Sequence, residues 1–159
     1  MITGTRSFCT RCLVVCVALF LVAAGSGRSE TDHNAIQVQL SDKKPPRLHV
    51  TLRSFSASRI TFNTLRLPWA TRYSMVLVPV KPDGQCLAKY YPVEDLPVRR
   101  VSLEPHGSLS GDIDLQSDLP GLEEALQKSD IHLFWAYEAP QELESTGWSG
   151  GWIFIPKTK

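Results

Sequence analysis

RLHVTLRS, residues 47–54, alternates without a slip: Leu48, Val50 and Leu52 are apolar, while Arg47, His49, Thr51 and Arg53 are polar or charged. A period of two places successive side chains on opposite faces of an extended chain, so the stretch predicts a strand with one face in a core and the other in water. GSLSGDIDL, residues 107–115, repeats the pattern. Leu109, Ile113 and Leu115 alternate there with Ser108, Ser110, Asp112 and Asp114, and Gly111 takes an inward position. In residues 131–138, IHLFWAYE, the same alternation sets Ile131, Leu133, Trp135 and Tyr137, expected to face the core, against His132, Phe134 and Ala136.

MVLVPV, residues 75–80, is apolar on both faces and reads as a more central strand, although Pro79 has no N–H to give and belongs at a strand end or a sheet edge. Lys81-Pro82-Asp83-Gly84 follows it. Proline presets φ and glycine accepts a positive φ, so this turn predicts a hairpin from 74–80 to 85–91. Further strands are expected at 36–40, 58–63, 98–103 and 151–156. One segment argues for a helix: in SDLPGLEEALQKSD, Ser117 or Asp118 can cap, Pro120 suits a first turn, and Leu122, Ala125 and Leu126 share a face, which predicts a helix over about 119–127. Seven or eight short strands between turn signals indicate an all-β chain, a single antiparallel β-sandwich with one short helix.

The first 27 residues read differently. Arg6 and Arg11 precede an apolar run from Leu13 to Ala24, followed by Gly25-Ser26-Gly27. That is the order of a secretory signal peptide, and the run is shorter than the roughly 20 residues a bilayer-spanning helix needs. The expected organisation is a signal peptide at 1–27, a flexible polar leader at 28–35 and a β-sandwich domain at 36–159, in a chain exported to a periplasmic or extracellular compartment with no stable membrane insertion after cleavage. Cys9, Cys12 and Cys16 fall inside the removed segment, where a redox dithiol or a zinc site has no folded frame. Only Cys86 then remains, so the fold gains no internal disulfide. In its strand-like context, QCLAKYY, Cys86 reads as a buried inert thiol, with an intermolecular disulfide or reactive thiol as the alternative.

Removing Arg6 and Arg11 from 17 basic residues, against 16 acidic ones, leaves a formal charge of about −1. Such a balance lacks the basic stripe that nucleic acid requires, and no nucleic-acid partner is expected.

The passage from the helical turn into DIHLFWAY resembles the E-to-F crossover of immunoglobulin-like domains, with Asp130 before the strand and Phe134 and Ala136 where such domains often carry an aromatic and a cysteine. Ala136 cannot form the inter-sheet disulfide, and 47–55 holds no cysteine to pair with it. The resemblance therefore implies a cysteine-free sandwich in the fibronectin-III style and carries no functional residue with it.

Chemistry-bearing motifs are weak. HGSLSG is not a nucleophile elbow, and Ser108 and Ser110 fall on the polar face of a strand. His33, His49, His106 and His132 lack the local pairings that hold zinc, and Cys86 lacks the following ligands of a copper site; a carboxylate pair drawn from Glu123-Glu124 with Glu142 and Glu144 is disfavoured, because consecutive helix positions point apart and Glu123-Glu124 are explained by an acidic helix start. No catalytic residue, metal ligand or cofactor is assigned.

The aromatics carry more. Trp148 lies in a Gly/Ser stretch, TGWSGG, read as a loop where the ring is either an exposed anchor or a lid folded over the sandwich end. Trp152 heads a terminal strand expected at a sheet edge or in parallel pairing. Candidate contact residues are Trp148, Trp69, Tyr90 and Tyr91, with loop 139–150 and segment 64–73 as candidate surfaces. The function expected is a non-catalytic binding or assembly module with a protein or glycan partner. Carbohydrate recognition through Trp148 with Tyr90 or Tyr91 is the alternative, as is inhibition of an extracytoplasmic enzyme through 64–73. A small hydrolase or metal enzyme would need His49, His132 and an acid to converge.

Overall fold

The structure, a computed structural model, describes residues 35–41, 45–93, 95–145 and 147–158. The signal-peptide and leader readings, with Cys9, Cys12 and Cys16, lie outside the described residues. Among the described residues, eight strands form three antiparallel sheets: β1 (Ile36–Leu40), β2 (Arg47–Arg53) and β6 (Ser108–Asp114) in the order β1-β2-β6; β3 (Ile60–Asn63) with β5 (Arg100–Leu103); and β4 (Val76–Val80), β7 (Ile131–Glu138) and β8 (Trp148–Ile155) in the order β4-β7-β8. The all-β antiparallel reading holds.

The alternation in β2 does what its period requires. Leu48, Val50 and Leu52 are fully buried opposite Ile113, Gly111 and Leu109, and Arg47, His49, Thr51 and Arg53 face away from the core. In β7, Ile131, Leu133, Trp135 and Tyr137 are buried as expected and meet Ile155, Ile153, Gly151 and Ser149 of β8. These inner faces, with Ile60, Phe62, Leu103 and the helical residues Leu115, Leu119, Leu122 and Leu126, make one hydrophobic cluster. The two three-stranded sheets thus share a core, the arrangement of a sandwich.

Three sequence readings are corrected. The helix over 119–127 is two short helices, α1 (Leu115–Asp118) and α2 (Leu122–Lys128). Asp114, rather than Ser117 or Asp118, caps α1 by accepting from the Gln116 and Ser117 amides at 3.0 and 3.4 Å, so helix starts earlier than the sequence suggests. Pro120 then pushes Leu119 out of the helical region, and Gly121 at φ 83° resets the chain for α2.

The second correction concerns the hairpin. Its turn forms: Gly84 has φ 84°, its amide donates to the Lys81 carbonyl at 2.9 Å, and the Lys81 amide donates to the Gln85 carbonyl at 2.9 Å. The returning strand, however, stops after the single bridge Val80↔Cys86. Leu87 donates to the Pro79 carbonyl at 3.0 Å, and proline has no N–H with which to return the bond. Beyond it the chain turns elsewhere, with the Tyr90 amide donating to the Asp118 carbonyl at 2.9 Å. Cys86 is consequently exposed, not buried. β4 is also an edge strand, and β7 is the central one.

The third concerns the end of the chain. The last described strand begins at Trp148, so the Gly/Ser stretch from there on is strand rather than loop; it lies at the sheet edge, one of the two placements expected, and pairs antiparallel with β7. A Cβ on Gly151 would lie 3.2 Å from the Trp135 indole nitrogen, so glycine there makes room for a large core ring.

Candidate functional site

The outward faces of the two three-stranded sheets differ in chemistry. On β4-β7-β8, the residues alternating with the core are Val76, Val78 and Val80 of β4, His132, Phe134, Ala136 and Glu138 of β7, and Trp148, Gly150, Trp152 and Phe154 of β8. Register lines them up across the sheet: Val78 beside Phe134 beside Trp152, and Val80 beside His132 beside Phe154. Trp148 is 62% exposed, Trp152 63% and Phe154 53%. Isolated exposed apolar residues are ordinary; a row of them on one sheet face is the feature that calls for a functional explanation.

The rings are not laid flat in one plane. Phe134 and Trp152 have centroids 5.2 Å apart at an interplanar angle of 58°, and His132 meets the Phe154 ring edge-on at 5.4 Å and 61°. The face thereby has relief suited to interdigitating with side chains. At one end it runs into a shallow groove lined by Val80, Lys81, Pro82, Gly84, His132 and Trp152. Glu138 marks the other end, paired in register with Trp148.

Trp69 does not belong to this face. A Cβ on Gly111 would fall 2.3 Å from its indole, so the Trp69 ring occupies the space that glycine leaves at the inward position of β6. It is partly buried against the core. The 64–73 segment carrying it is tied down further: the buried Tyr137 hydroxyl donates to the Arg66 carbonyl at 2.6 Å, and the Ser74 hydroxyl donates to the Leu65 carbonyl at 3.1 Å. Burial pushes the Tyr137 phenol well above its ordinary value, which keeps it a neutral donor.

Tyr90 and Tyr91 sit elsewhere again. Tyr91 stacks on Tyr73, with centroids 5.4 Å apart and 30° between planes, and the Lys89 ammonium lies 5.4 Å from the Tyr91 ring centre. Arg72 covers Tyr90 at 5.0 Å and pairs with the Asp118 carboxylate at 3.1 Å. Lys89 donates to the Met75 carbonyl at 2.7 Å, and the Tyr73 hydroxyl donates to the Pro92 carbonyl. Both rings are half exposed, yet their contacts clamp the segment after β4 against the body. Desolvation raises the Asp118 carboxyl above its usual range, opposed by Lys89 and Arg72, and desolvation lowers the Lys89 ammonium. No ring contact among the described residues joins Trp148 to Tyr90 or Tyr91.

His49 and His132 lie on the outward faces of different sheets. His49 Nδ1 hydrogen-bonds Asp112 Oδ1 at 2.8 Å on the outward face of β2 and β6, and His132 lies on the outward face of β7. Among the described residues no group of three His, Cys, Asp or Glu side chains is placed to hold a metal ion. Trp152, Phe154 and Phe134 are the residues of this face that sequence reasoning did not single out as contacts. The signal was present: Trp148, Gly150, Trp152 and Phe154 have the period of one strand face, hidden by reading the glycines as a loop.

No protein-family model matches the chain, and no curated protein matches it.

Proposed function

We propose that this chain is an exported, non-catalytic binding or assembly module whose contact surface is the outward face of the β4-β7-β8 sheet. The observation that carries the reading is the exposed row of Trp148, Trp152 and Phe154 beside Phe134 and the β4 valines. A protein partner suits it better than a glycan. Sugar rings stack on coplanar aromatics flanked by hydrogen-bonding side chains, whereas the ring pairs here stand at 58° and 61° and, His132 apart, their neighbours along and across the strands are mostly valine, alanine and glycine. Export rests on the basic residues, short apolar run and small residues of the first 27 positions. The resemblance to a cysteine-free immunoglobulin-like or fibronectin-III-like sandwich stands with it as a proposal about the fold, and no residue role depends on it.

A photo-crosslinking side chain placed at Trp152, and in a second protein at Thr51 on the opposite sheet, tests this in cells that naturally make the chain. A discrete adduct from position 152 and none from 51 is expected. Absence of an adduct at 152, or equal adducts at both, overturns the assignment of the face.

A further inference from the structure

Resting on that reading of the face, we infer that its partner is a second copy of this chain, the two β4-β7-β8 sheets stacking face to face in antiparallel orientation. The first argument is area. At about 150–250 Å² per large aromatic side chain, the exposed fractions of Trp148, Trp152 and Phe154 leave on the order of 400 Å² of apolar surface. A standard interface covers about 800 Å² on each partner, somewhat more than half of it apolar, or about 450 Å². Val76, 41% exposed on the same face, closes the remaining gap. One copy thus presents the apolar area that one side of a stable dimer needs.

The second argument is charge. The face has a carboxylate at one end, exposed Glu138 beside Trp148. Lys81 and His132 line the groove at the other. Asp83, the acid of that same turn, is directed into it, accepting from the Gln85 amide at 2.9 Å. The six residue steps from His132 to Glu138 separate the ends by about 20 Å. A two-fold axis lying between the sheets and perpendicular to the strands brings the Glu138 end of each copy over the Lys81 end of the other, and both charge pairs form at once. An axis along the strands would set like ends together. The apolar centre supplies the association and the ends choose its direction.

The third argument is shape. The tilted Phe134–Trp152 pair leaves ridges rather than a plane, and a second copy offers the same ridges and, at Gly150 and Ala136, the small residues between which they fit. Sheets stacked in this way lie about 10 Å apart, close enough for side chains to interdigitate.

Sedimentation equilibrium of the protein purified from its own host, from about 1 to 100 μM, is the test. Twice the chain mass at the upper concentrations is expected. Trp152→Glu, with an unchanged far-ultraviolet circular dichroism spectrum, weakens association at least about a hundredfold, as loss of a central aromatic anchor does. Thr51→Glu leaves it unchanged. Glu138→Lys weakens it about three- to tenfold, the scale of exposed ion pairs counted twice, and the double variant Lys81→Glu with Glu138→Lys restores it. A monomer at every concentration overturns the inference, as does a dimer indifferent to Trp152→Glu. A dimer that is lost in Trp152→Glu and whose weakening by Glu138→Lys is not restored by the double variant overturns the antiparallel orientation. A monomer that still gives the position-152 adduct with another protein leaves the contact face standing and removes only the second copy; a monomer without the adduct removes both.

Discussion

The outward faces of β1-β2-β6 and β4-β7-β8 are built on the same three-stranded antiparallel frame and covered in opposite ways. On the first, Gln37 and Gln39 of β1, Arg47, His49 and Thr51 of β2, and Ser110, Asp112 and Asp114 of β6 pair by register into polar rungs. His49 bonds Asp112 at 2.8 Å, Thr51 bonds Ser110 at 2.9 Å, and Arg47 lies 4.0 Å from Asp114. That face is satisfied by itself and by water. On the second, valines and aromatic rings fill most of the positions where those side chains stand, with His132 and Glu138 as its polar side chains toward the two ends of β7. Backbone hydrogen bonding is indifferent to which residues face outward, so the difference teaches that sheet formation and surface chemistry are set independently along each strand.

The comparison is sharpened first by two neighbours on β7. Leu133→Ala, on the buried face, should lower unfolding free energy by about 3 kcal/mol through lost transfer energy and an unfilled cavity. Phe134→Ala, one residue along on the outward face, should cost less than about 1 kcal/mol at concentrations where the chain is monomeric. Urea melts of the two, read side by side, check the assignment; equal losses would break the division of the strand into a core-packed face and an outward face.

Next in size is the contact that takes Trp69 out of the contact set. Gly111→Ala drives a methyl into the indole ring and should cost about 1–3 kcal/mol by overpacking, with a shift in Trp69 fluorescence. A change below about 0.5 kcal/mol would mean that Trp69 swings away easily and belongs among the surface rings after all.

A smaller effect is expected from pH at the clamp between Arg72, Lys89 and Asp118. Burial holds the Asp118 carboxyl above its ordinary value of 3.8, so the folded chain keeps a proton that the unfolded chain releases. This contribution to stability is complete below that value and is lost as pH rises through the raised one. Asp118→Asn should flatten that part of the stability–pH curve. An unchanged slope from pH 4 upward would show that Arg72 and Lys89 compensate its burial in full.

The smallest effect belongs to the polar face. His49→Ala breaks an exposed pair and should change stability by less than about 0.5 kcal/mol, less still at high salt. A loss above about 1 kcal/mol in a thermal melt would show that the ladder holds the sheet together rather than merely decorating it.

Much of this was legible in the residues. The alternations in 47–53, 108–114 and 131–138 are carried by strands with those boundaries, because a period of two with strong polar contrast leaves one register that buries the apolar set. Where the sequence misled, a local signal was outweighed by a partner far along the chain. The glycines at 150 and 151 look like a loop and serve a strand, since Trp135 needs the space. QCLAKYY has strand composition yet fails to extend the sheet, since Pro79 withholds the reciprocal bond and Tyr90 finds Asp118 instead. Of the candidate contacts, Trp148 lies on the aromatic face; Trp69, Tyr90 and Tyr91 are engaged with Gly111, Arg72 and Tyr73, none adjacent to its partner in the chain.

By itself the sequence determined the fold class, the inward and outward sides of its best strands, and the turn at Pro82-Asp83-Gly84, because each depends on periodicity or on the dihedral preferences of a few neighbouring residues. Tertiary structure alone decided which strands lie side by side, which rings are spent on the core, and that Phe134, Trp152 and Phe154 share one exposed face. Those outcomes depend on pairing across tens of residues, where a ring's surroundings are supplied by another strand and cannot be read from its own.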